Sequence, residues 1–306
     1  MPIDLAVIPV AGKGTRLLPL TKSQPKEMLA LGSRPVVQYV VEELANSDIN
    51  KICFVTGSGK HSIENHFDVD EELIRNLREE GKEELLGELD FERRSMEYYY
   101  TRQRRHMGNG HAVLQARSFV GDNSFVVAFG DSIIGLHANS TIVRRMVEAF
   151  EDTGADVAIA FERVPAKDVV YYGIAQPRDP SAATDGEVFE LAGIVEKPSL
   201  EEATSDLAVA ARYVLSPAIF PVIEETQPGK GGEIQLTDAI QTIIRKGGKV
   251  VGLALGAGEK RYDIGHPLSY FRAFLDFALA DPEHGETLTR ELREKLTRLS
   301  HRVEAK

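Results

Sequence analysis

The chain has 306 residues, 42% of them hydrophobic, and 36 Lys and Arg against 47 Asp and Glu give a formal net charge of −11. That is enough for one large domain or two small ones with a full core. The acidic balance excludes a broad nucleic-acid-binding face, and no apolar run reaches the ~18 residues of a membrane span. A small phosphorylated substrate stays open, since it needs only a local cluster of cations. Cys53 is the only cysteine, so no internal disulfide forms, and within the apolar Lys51-Ile-Cys-Phe-Val-Thr56 it reads as a small buried hydrophobe. No basic region precedes an apolar one at the start. The expectation is a cytoplasmic protein with neither nucleic acid nor membrane as partner.

The first element is an apolar strand, Leu5–Val10, which turns into Ala11-Gly12-Lys13-Gly14-Thr15-Arg16. Two glycines let the backbone fold tightly and bring N–H groups up to an anion. Arg16, Lys22 and Lys26 add positive charge, and Pro19 and Pro25 stiffen the loop. The next helical pattern starts only near Pro35, and long loops in compact domains are often functional. Two commoner phosphate loops are excluded. Gly57-Ser-Gly-Lys-His61 ends in His where a Walker A loop needs Ser or Thr, and a dinucleotide fingerprint needs a third Gly where Leu17 stands. The plain alternative is a solvated basic turn.

Gly12-x-Gly14-Thr15-Arg16-Leu17, then Pro19, then Pro25-Lys26, resembles the signature of the sugar-1-phosphate nucleotidylyltransferases. Val10-Ala-Gly-x-Gly-Thr-Arg-x-Leu-Pro19 and Pro25-Lys-Glu-Met-Leu29 are most similar to the bacterial UTP–glucose-1-phosphate uridylyltransferases (UDP-glucose pyrophosphorylases), and the resemblance runs from about Leu5 to about Ala280. It implies a nucleotide-diphospho-sugar transferase fold and Mg²⁺-dependent nucleotidyl transfer from UTP to glucose 1-phosphate, giving UDP-glucose and pyrophosphate. It also implies a homodimer or homotetramer. Ala11, Gly12, Gly14 and Thr15 would bind nucleotide, Arg16 the triphosphate, and Lys26 the charge growing on the α-phosphate.

Strands at Leu5–Val10, Lys51–Thr56, Met96–Thr101 and Phe125–Phe129 alternate with helices at Pro35–Ala45, Ser62–Phe67, Gly110–Ala116 and Ser140–Asp152. The alternation predicts an α/β fold, with a Rossmann-like mixed, mainly parallel sheet flanked by helices and ligands at the carboxyl ends of strands. Asp70–Arg94, with Leu73, Leu77, Leu85 and Leu89 at helical spacing, reads as an amphipathic helical insertion; it resembles one typical of the uridylyltransferases. Gln103 ends a strand and offers an amide that suits a pyrimidine edge, or it is a plain surface residue. The resemblance assigns Gln103 and Gly108 to the base. His106 and His111 lack metal-ligand spacing and read as structural or surface residues, while Arg102, Arg104 and Arg105 either rim the nucleotide site or form an exposed strand end.

Phe125-Val-Val-Ala-Phe-Gly-Asp131 is an apolar strand ending in a carboxylate, placed as a Mg²⁺ ligand or as a cap or turn former. The resemblance makes Asp131 the metal ligand, although Gly130 stands where the family commonly has Pro. The second half reads as strands at Asp156–Arg163, Tyr171–Gln176, Val188–Glu196, Leu207–Leu215 and Lys249–Leu255, with helices at Pro217–Glu225, Gln235–Lys246 and from Pro267. Glu196-Lys197 alone reads as a solvated charged pair; the resemblance gives Glu196 the sugar hydroxyls, Lys197 the sugar phosphate and Gly173 a close approach of sugar to backbone. Glu233-Ile-Gln-Leu-Thr-Asp238 reads as a helix start with Thr237 or Asp238 as cap. Asp263-x-Gly265 is either a plain turn or, by resemblance, a second metal ligand converging with Asp131.

The organisation expected is one domain over 1–280, with a nucleotide-binding half (1–150) and a β-rich sugar-phosphate-binding half (151–280), then a charged helical extension over 281–306 with leucines at 288, 292, 296 and 299. The nucleophile would be a phosphate oxygen already ionised at neutral pH, which accounts for the lack of a Ser/His/Asp or Cys/His arrangement. Two alternatives stay open. A thymidylyltransferase or other hexose-1-phosphate nucleotidylyltransferase differs by as little as one methyl group, worth about 1–3 kcal/mol. A non-catalytic regulatory subunit would be expected to lack Lys26, Asp131, Lys197 or Asp263, and all four are present.

Overall fold

The computed structural model describes residues 2–93 and 95–304, with the side chains of residues 90, 92, 93, 230 and 299–304 also outside the description. Its strands are β1 (Leu5–Pro9), β2 (Ala30–Leu31), β3 (Arg34–Pro35), β4 (Lys51–Thr56), β5 (Glu97–Arg102), β6 (Phe125–Ala128), β7 (Ser132–Ile134), β8 (Val157–Arg163), β9 (Gly173–Pro177), β10 (Val188–Glu196), β11 (Leu207–Leu215), β12 (Val250–Ala254) and β13 (Arg261–Asp263). The helices are α1 (Val36–Ala45), α2 (His61–Phe67), α3 (Glu71–Glu79), α4 (Asn109–Leu114), α5 (Arg117–Val120), α6 (Ile142–Thr153), α7 (Ile219–Glu225), α8 (Leu236–Arg245), α9 (Pro267–Leu279) and α10 (Gly285–Glu304).

Among the described residues one large sheet runs β5-β4-β1-β6-β11-β8-β12-β10-β9. Within it β1 and β6 are apolar at every position because both faces are covered. Leu5 and Val7 of β1 join one core with Val113, Phe220 and Ile240, whereas Ala6 and Ile8 join the other with Val40, Ile63 and Met146. The parallel pairing expected from the alternation holds across β5, β4, β1 and β6. Beyond β6 the sheet is mixed: β11 is antiparallel to β6 and β8, β12 is parallel to β8, and β10 is antiparallel to β12 and β9. The carboxyl ends of β1, β4 and β6 therefore point to one edge, where the glycine-bearing loop lies.

Two local expectations change. The insertion is not one helix: α3 stops at Glu79, Gly81 takes φ +70°, and tight 3₁₀ turns follow over Glu83–Arg93. Leu73 and Leu85 stay exposed, while Phe91 packs against the core beside His66; Arg94 lies outside the described residues. Arg261-Tyr-Asp263, for which no strand was expected, forms β13, paired antiparallel with β7 so that Asp263 stands opposite Ser132, and Asp263-x-Gly265 turns directly after it. The charged C-terminal stretch is helical through Glu304 as expected, with 305–306 and the Leu299 side chain outside the description.

A buried ion pair ties the sheet to α1. Arg212 of β11 and Glu43 of α1 have no exposed side-chain surface, with Nη2 to Oε2 at 2.6 Å. The same guanidinium donates to the carbonyl of Ser132 at 2.9 Å, which anchors the backbone next to Asp131.

Candidate active site

The loop after β1 starts buried at Ala11 and emerges at Gly12. A Cβ on Gly12 would lie 3.7 Å from the Lys26 ammonium nitrogen, so loop backbone and lysine face each other. Gly14 adopts φ +64°, which favours glycine, and leads into a 3₁₀ turn over Thr15–Leu17; its carbonyl accepts from the Thr21 hydroxyl at 2.7 Å. Thr15 and Arg16 point outward while Leu17 anchors the turn in the core. A second 3₁₀ turn, Lys26–Met28, follows Pro25 and brings Lys26 back under the loop.

Lys26 donates to the Asp131 carboxylate. Burial opposes the lysine's charge, but Asp131, then Glu27 and Asp263, outweigh it and push its pKa up to about 12. Burial likewise opposes ionisation of Asp131, and the adjoining Lys26 ammonium nonetheless holds that carboxyl below its ordinary range. Lys26 is thus charged throughout the neutral range. Asp131 is not a helix cap; it closes the turn between β6 and β7, and its carboxylate holds this ion pair. The β7–β13 ribbon sets Asp263 beside it: the Ile264 amide donates to the Asp131 carbonyl at 3.2 Å, and Asp263 Oδ1 accepts from the Gly265 amide at 2.6 Å. A Cβ on Gly265 would lie 2.8 Å from an Arg16 guanidinium nitrogen and 2.9 Å from Asp263 Oδ1. Arg16, Lys26, Asp131 and Asp263, spread over most of the chain, therefore converge.

Gly130 has a packing reason. A Cβ there would stand 2.6 Å from Val10 Cγ1 and 3.2 Å from Ile8 Cγ2. The β-branched side chains of Ile8 in β1 and of Val10 just after it occupy the space that a ring would take.

The donor set suits a small hard cation. Mg²⁺ takes one or two carboxylates together with phosphate oxygens. Asp131 and Asp263 supply two, and among the described residues no cluster of three or more His, Cys, Asp and Glu offers a closed all-protein cage.

Gln103 is 6% exposed, which rules out a surface strand end. Its side-chain amide donates to the Gly108 carbonyl at 2.9 Å and lies 3.0 Å from His111 Nδ1, giving His111 a structural role. Gly108 has φ +103°, and a Cβ would stand 2.4 Å from the Ile234 carbonyl oxygen. Only glycine fits where this turn meets the segment before α8. Of the three neighbouring arginines, Arg102 reaches the Gly57 carbonyl at 3.3 Å, and Arg104 and Arg105 line a cavity of about 420 Å³ with His111 and Gln115.

On the opposite side, Glu196 ends β10 and Lys197 turns to φ +46°, with its amide on the Tyr172 carbonyl at 2.8 Å. That left-handed residue breaks strand alternation and brings the two heads to one side, with Nζ 3.3 Å from Glu196 Oε1. The other carboxylate oxygen accepts from the Thr237 hydroxyl at 2.7 Å. Gly173 is walled by this pair, since a Cβ would meet Thr237 Cγ2 at 2.7 Å and Glu196 Oε2 at 3.2 Å.

The expected cap of α8 is corrected here. Neither Thr237 nor Asp238 caps it; Asn109 Oδ1 accepts from the Leu236 amide at 2.7 Å, leaving Thr237 for Glu196. Sequence reading also missed Arg261, which is buried, 2.5 Å from Glu162 and 3.6 Å from Asp263, with its guanidinium 4.7 Å over the Tyr172 ring. It links Asp263 to the strand-end turn carrying Lys197. A lone Arg before Tyr-Asp carries no local signal for this; Glu162 lies 99 positions away.

The nucleotidyl transferase family profile matches residues 5–279. A UTP–glucose-1-phosphate uridylyltransferase of Bacillus subtilis, YngB, is 42% identical over 96% of this chain and 95% of its own length. Among solved structures, the UTP-bound UGPase of Acinetobacter baumannii matches with a TM-score of 0.86 at 36% identity, over 95% of this chain and 99% of that one. A UDP-glucose pyrophosphorylase complexed with UDP-glucose matches with a TM-score of 0.79 at 33% identity, over 90% and 98%.

Proposed function

Because the chain belongs to the nucleotidyl transferase family, we propose that it transfers UMP from UTP to glucose 1-phosphate, forming UDP-glucose and pyrophosphate. The observation that carries this reading is the convergence of Lys26, Asp131, Asp263 and Arg16 at the glycine-bearing loop.

An oxygen of the sugar phosphate attacks the α-phosphorus of UTP. The new P–O bond forms as the α–β P–O bond breaks, and pyrophosphate leaves with the bonding electrons. The attacking oxygen is already anionic, so the protein's task is to offset repulsion between anions and hold them in line. Gly12 and Gly14, with Ala11 and Thr15, present backbone to the triphosphate, and Arg16 adds charge. Lys26 exchanges Asp131 for the α-phosphate, where negative charge grows. Asp131 and Asp263 are the carboxylates that would hold magnesium, which would supply further charge neutralisation and alignment. Gln103 and Gly108 bind the uracil edge; Lys197 holds the sugar phosphate, and Glu196, oriented by Thr237, takes sugar hydroxyls beside Gly173. Residues 1–150 act as the nucleotide half, 151–280 as the sugar-phosphate half and 281–306 as an appended helical extension.

The protein works in the cytoplasm as a homodimer or homotetramer. Leu268, Phe271, Phe274 and Leu275 of α9 are exposed, as expected of a face covered by another subunit. Among the described residues no helix is long and apolar enough to cross a membrane. Pyrophosphate release with UTP or dTTP crossed against glucose, galactose and N-acetylglucosamine 1-phosphates tests the function. Preference for UTP with glucose 1-phosphate supports it; preference for another pair moves the substrate.

A further inference from the structure

Lys60 and Glu27 form an ion pair with no part in the chemistry above. Nζ stands 2.7 Å from Oε2, and the residues are 4% and 1% exposed. Taking two charges out of water costs about as much as their attraction returns, so such a pair adds little net stability. Its location suggests another use. Lys60 ends the short loop after β4, immediately before α2, and Glu27 directly follows Lys26. The same short loop touches the other end of the phosphate loop: a Cβ on Gly57 would lie 3.1 Å from the Ala11 carbonyl oxygen. Both ends of the long loop after β1 thus rest on one neighbouring segment, at Gly57 and Lys60. The stem of Glu27 also reaches the far wall, with its Cγ 3.5 Å from where a Cβ on Gly130 would stand, one residue before Asp131.

We propose that Glu27 and Lys60 are positioning residues for nucleotidyl transfer. The pair is a strut that fixes the end of the phosphate loop carrying Lys26. It also keeps a fixed counter-charge beneath the Lys26 ammonium when that group leaves Asp131 for the substrate phosphate. Lys60 keeps Glu27 in place; Glu27 acts on Lys26; neither touches substrate.

The kinetic arm of the test rests on the uridylyltransferase reading, and the exchange arm does not. The double variant Glu27→Met/Lys60→Met replaces both charges with apolar side chains of similar volume, so its thermal midpoint stays near wild type. We expect kcat for pyrophosphate release to fall about tenfold or more while KM for glucose 1-phosphate changes less than about twofold, as loss of alignment at one group predicts. Amide hydrogen exchange over residues 15–28 becomes faster, with β1 unchanged. Wild-type kcat together with wild-type exchange in the double variant overturns the proposal. Should the double variant unfold early, Glu27→Asp decides: it keeps the charges but shortens the strut, so lowered kcat at wild-type stability supports the proposal and unchanged kcat overturns it. A wild-type protein silent on UTP and glucose 1-phosphate would sink the reaction reading, leaving the exchange comparison to decide the strut.

Discussion

Arg212→Met should expose how much the buried Glu43–Arg212 pair holds together. The substitution keeps much of the side-chain volume but strands the Glu43 carboxylate, whose partner at 2.6 Å is gone and which has no exposed surface. Losing one member of a buried pair costs about 3–5 kcal/mol. For a chain of this size that is a fall in melting temperature of about 6–10 °C, taking roughly 2 °C per kcal/mol. The loss has a pH signature. Burial already raises the Glu43 pKa against the opposing pull of Arg212, and removing that pull raises it further. The folded variant then binds a proton that the unfolded chain releases in the ordinary carboxylate range. Its stability therefore falls as pH rises through the window above that range, so the deficit is larger at pH 8 than at pH 5.5. Thermal unfolding followed by circular dichroism at both pH values measures this. Glu43→Leu combined with Arg212→Met leaves no charge stranded and should recover most of the loss. A single variant melting with wild type at pH 8, or a double variant less stable than the single one, would refute the reasoning.

Lys26→Ala should lower kcat about 10²–10³-fold, the range for removing one preorganised group at developing charge, with the fold retained by circular dichroism. Thr237→Val removes the hydroxyl on Glu196, and a lost hydrogen bond of about 0.5–1.5 kcal/mol raises KM for glucose 1-phosphate roughly two- to tenfold in steady-state assays. Burial works against ionisation of Glu259, but the Gly256 amide, the Ser140 hydroxyl and Arg145 hold its carboxyl below the usual range. That stabilisation is complete above the ordinary glutamate pKa and is lost as pH falls through the depressed one, so Glu259→Gln should flatten the melting temperature profile on the acid side. Chelation of divalent cations should abolish turnover, and added Mg²⁺ should restore it.

Much of the fold was legible because its signals are local. The apolar run of β1, the glycines and cations after it, and the carboxylate closing Phe125–Asp131 each lie within a few consecutive residues. Distant pairs were not. Asn109 caps α8 across 127 positions, Arg212 meets Glu43 across 169, and Lys60 meets Glu27 across 33. Each looks like an ordinary solvated polar residue until the sheet order brings its partner near. β7 and β13, three residues each, are too short to show alternation, so the ribbon that sets Asp263 beside Asp131 had no sequence signal of its own. The insertion is helical as expected but comes in two pieces: α3 ends just before Gly81, and although its leucines carry the spacing of a buried stripe, Leu73 and Leu85 stay exposed.

Phosphorus NMR of the purified protein with UTP, glucose 1-phosphate and Mg²⁺ tests the central claim most directly. Attack at the α-phosphorus predicts UDP-glucose and pyrophosphate appearing in equal amounts as both substrates decline. Unchanged spectra, or orthophosphate appearing with UDP from cleavage at the γ-phosphate, would contradict it.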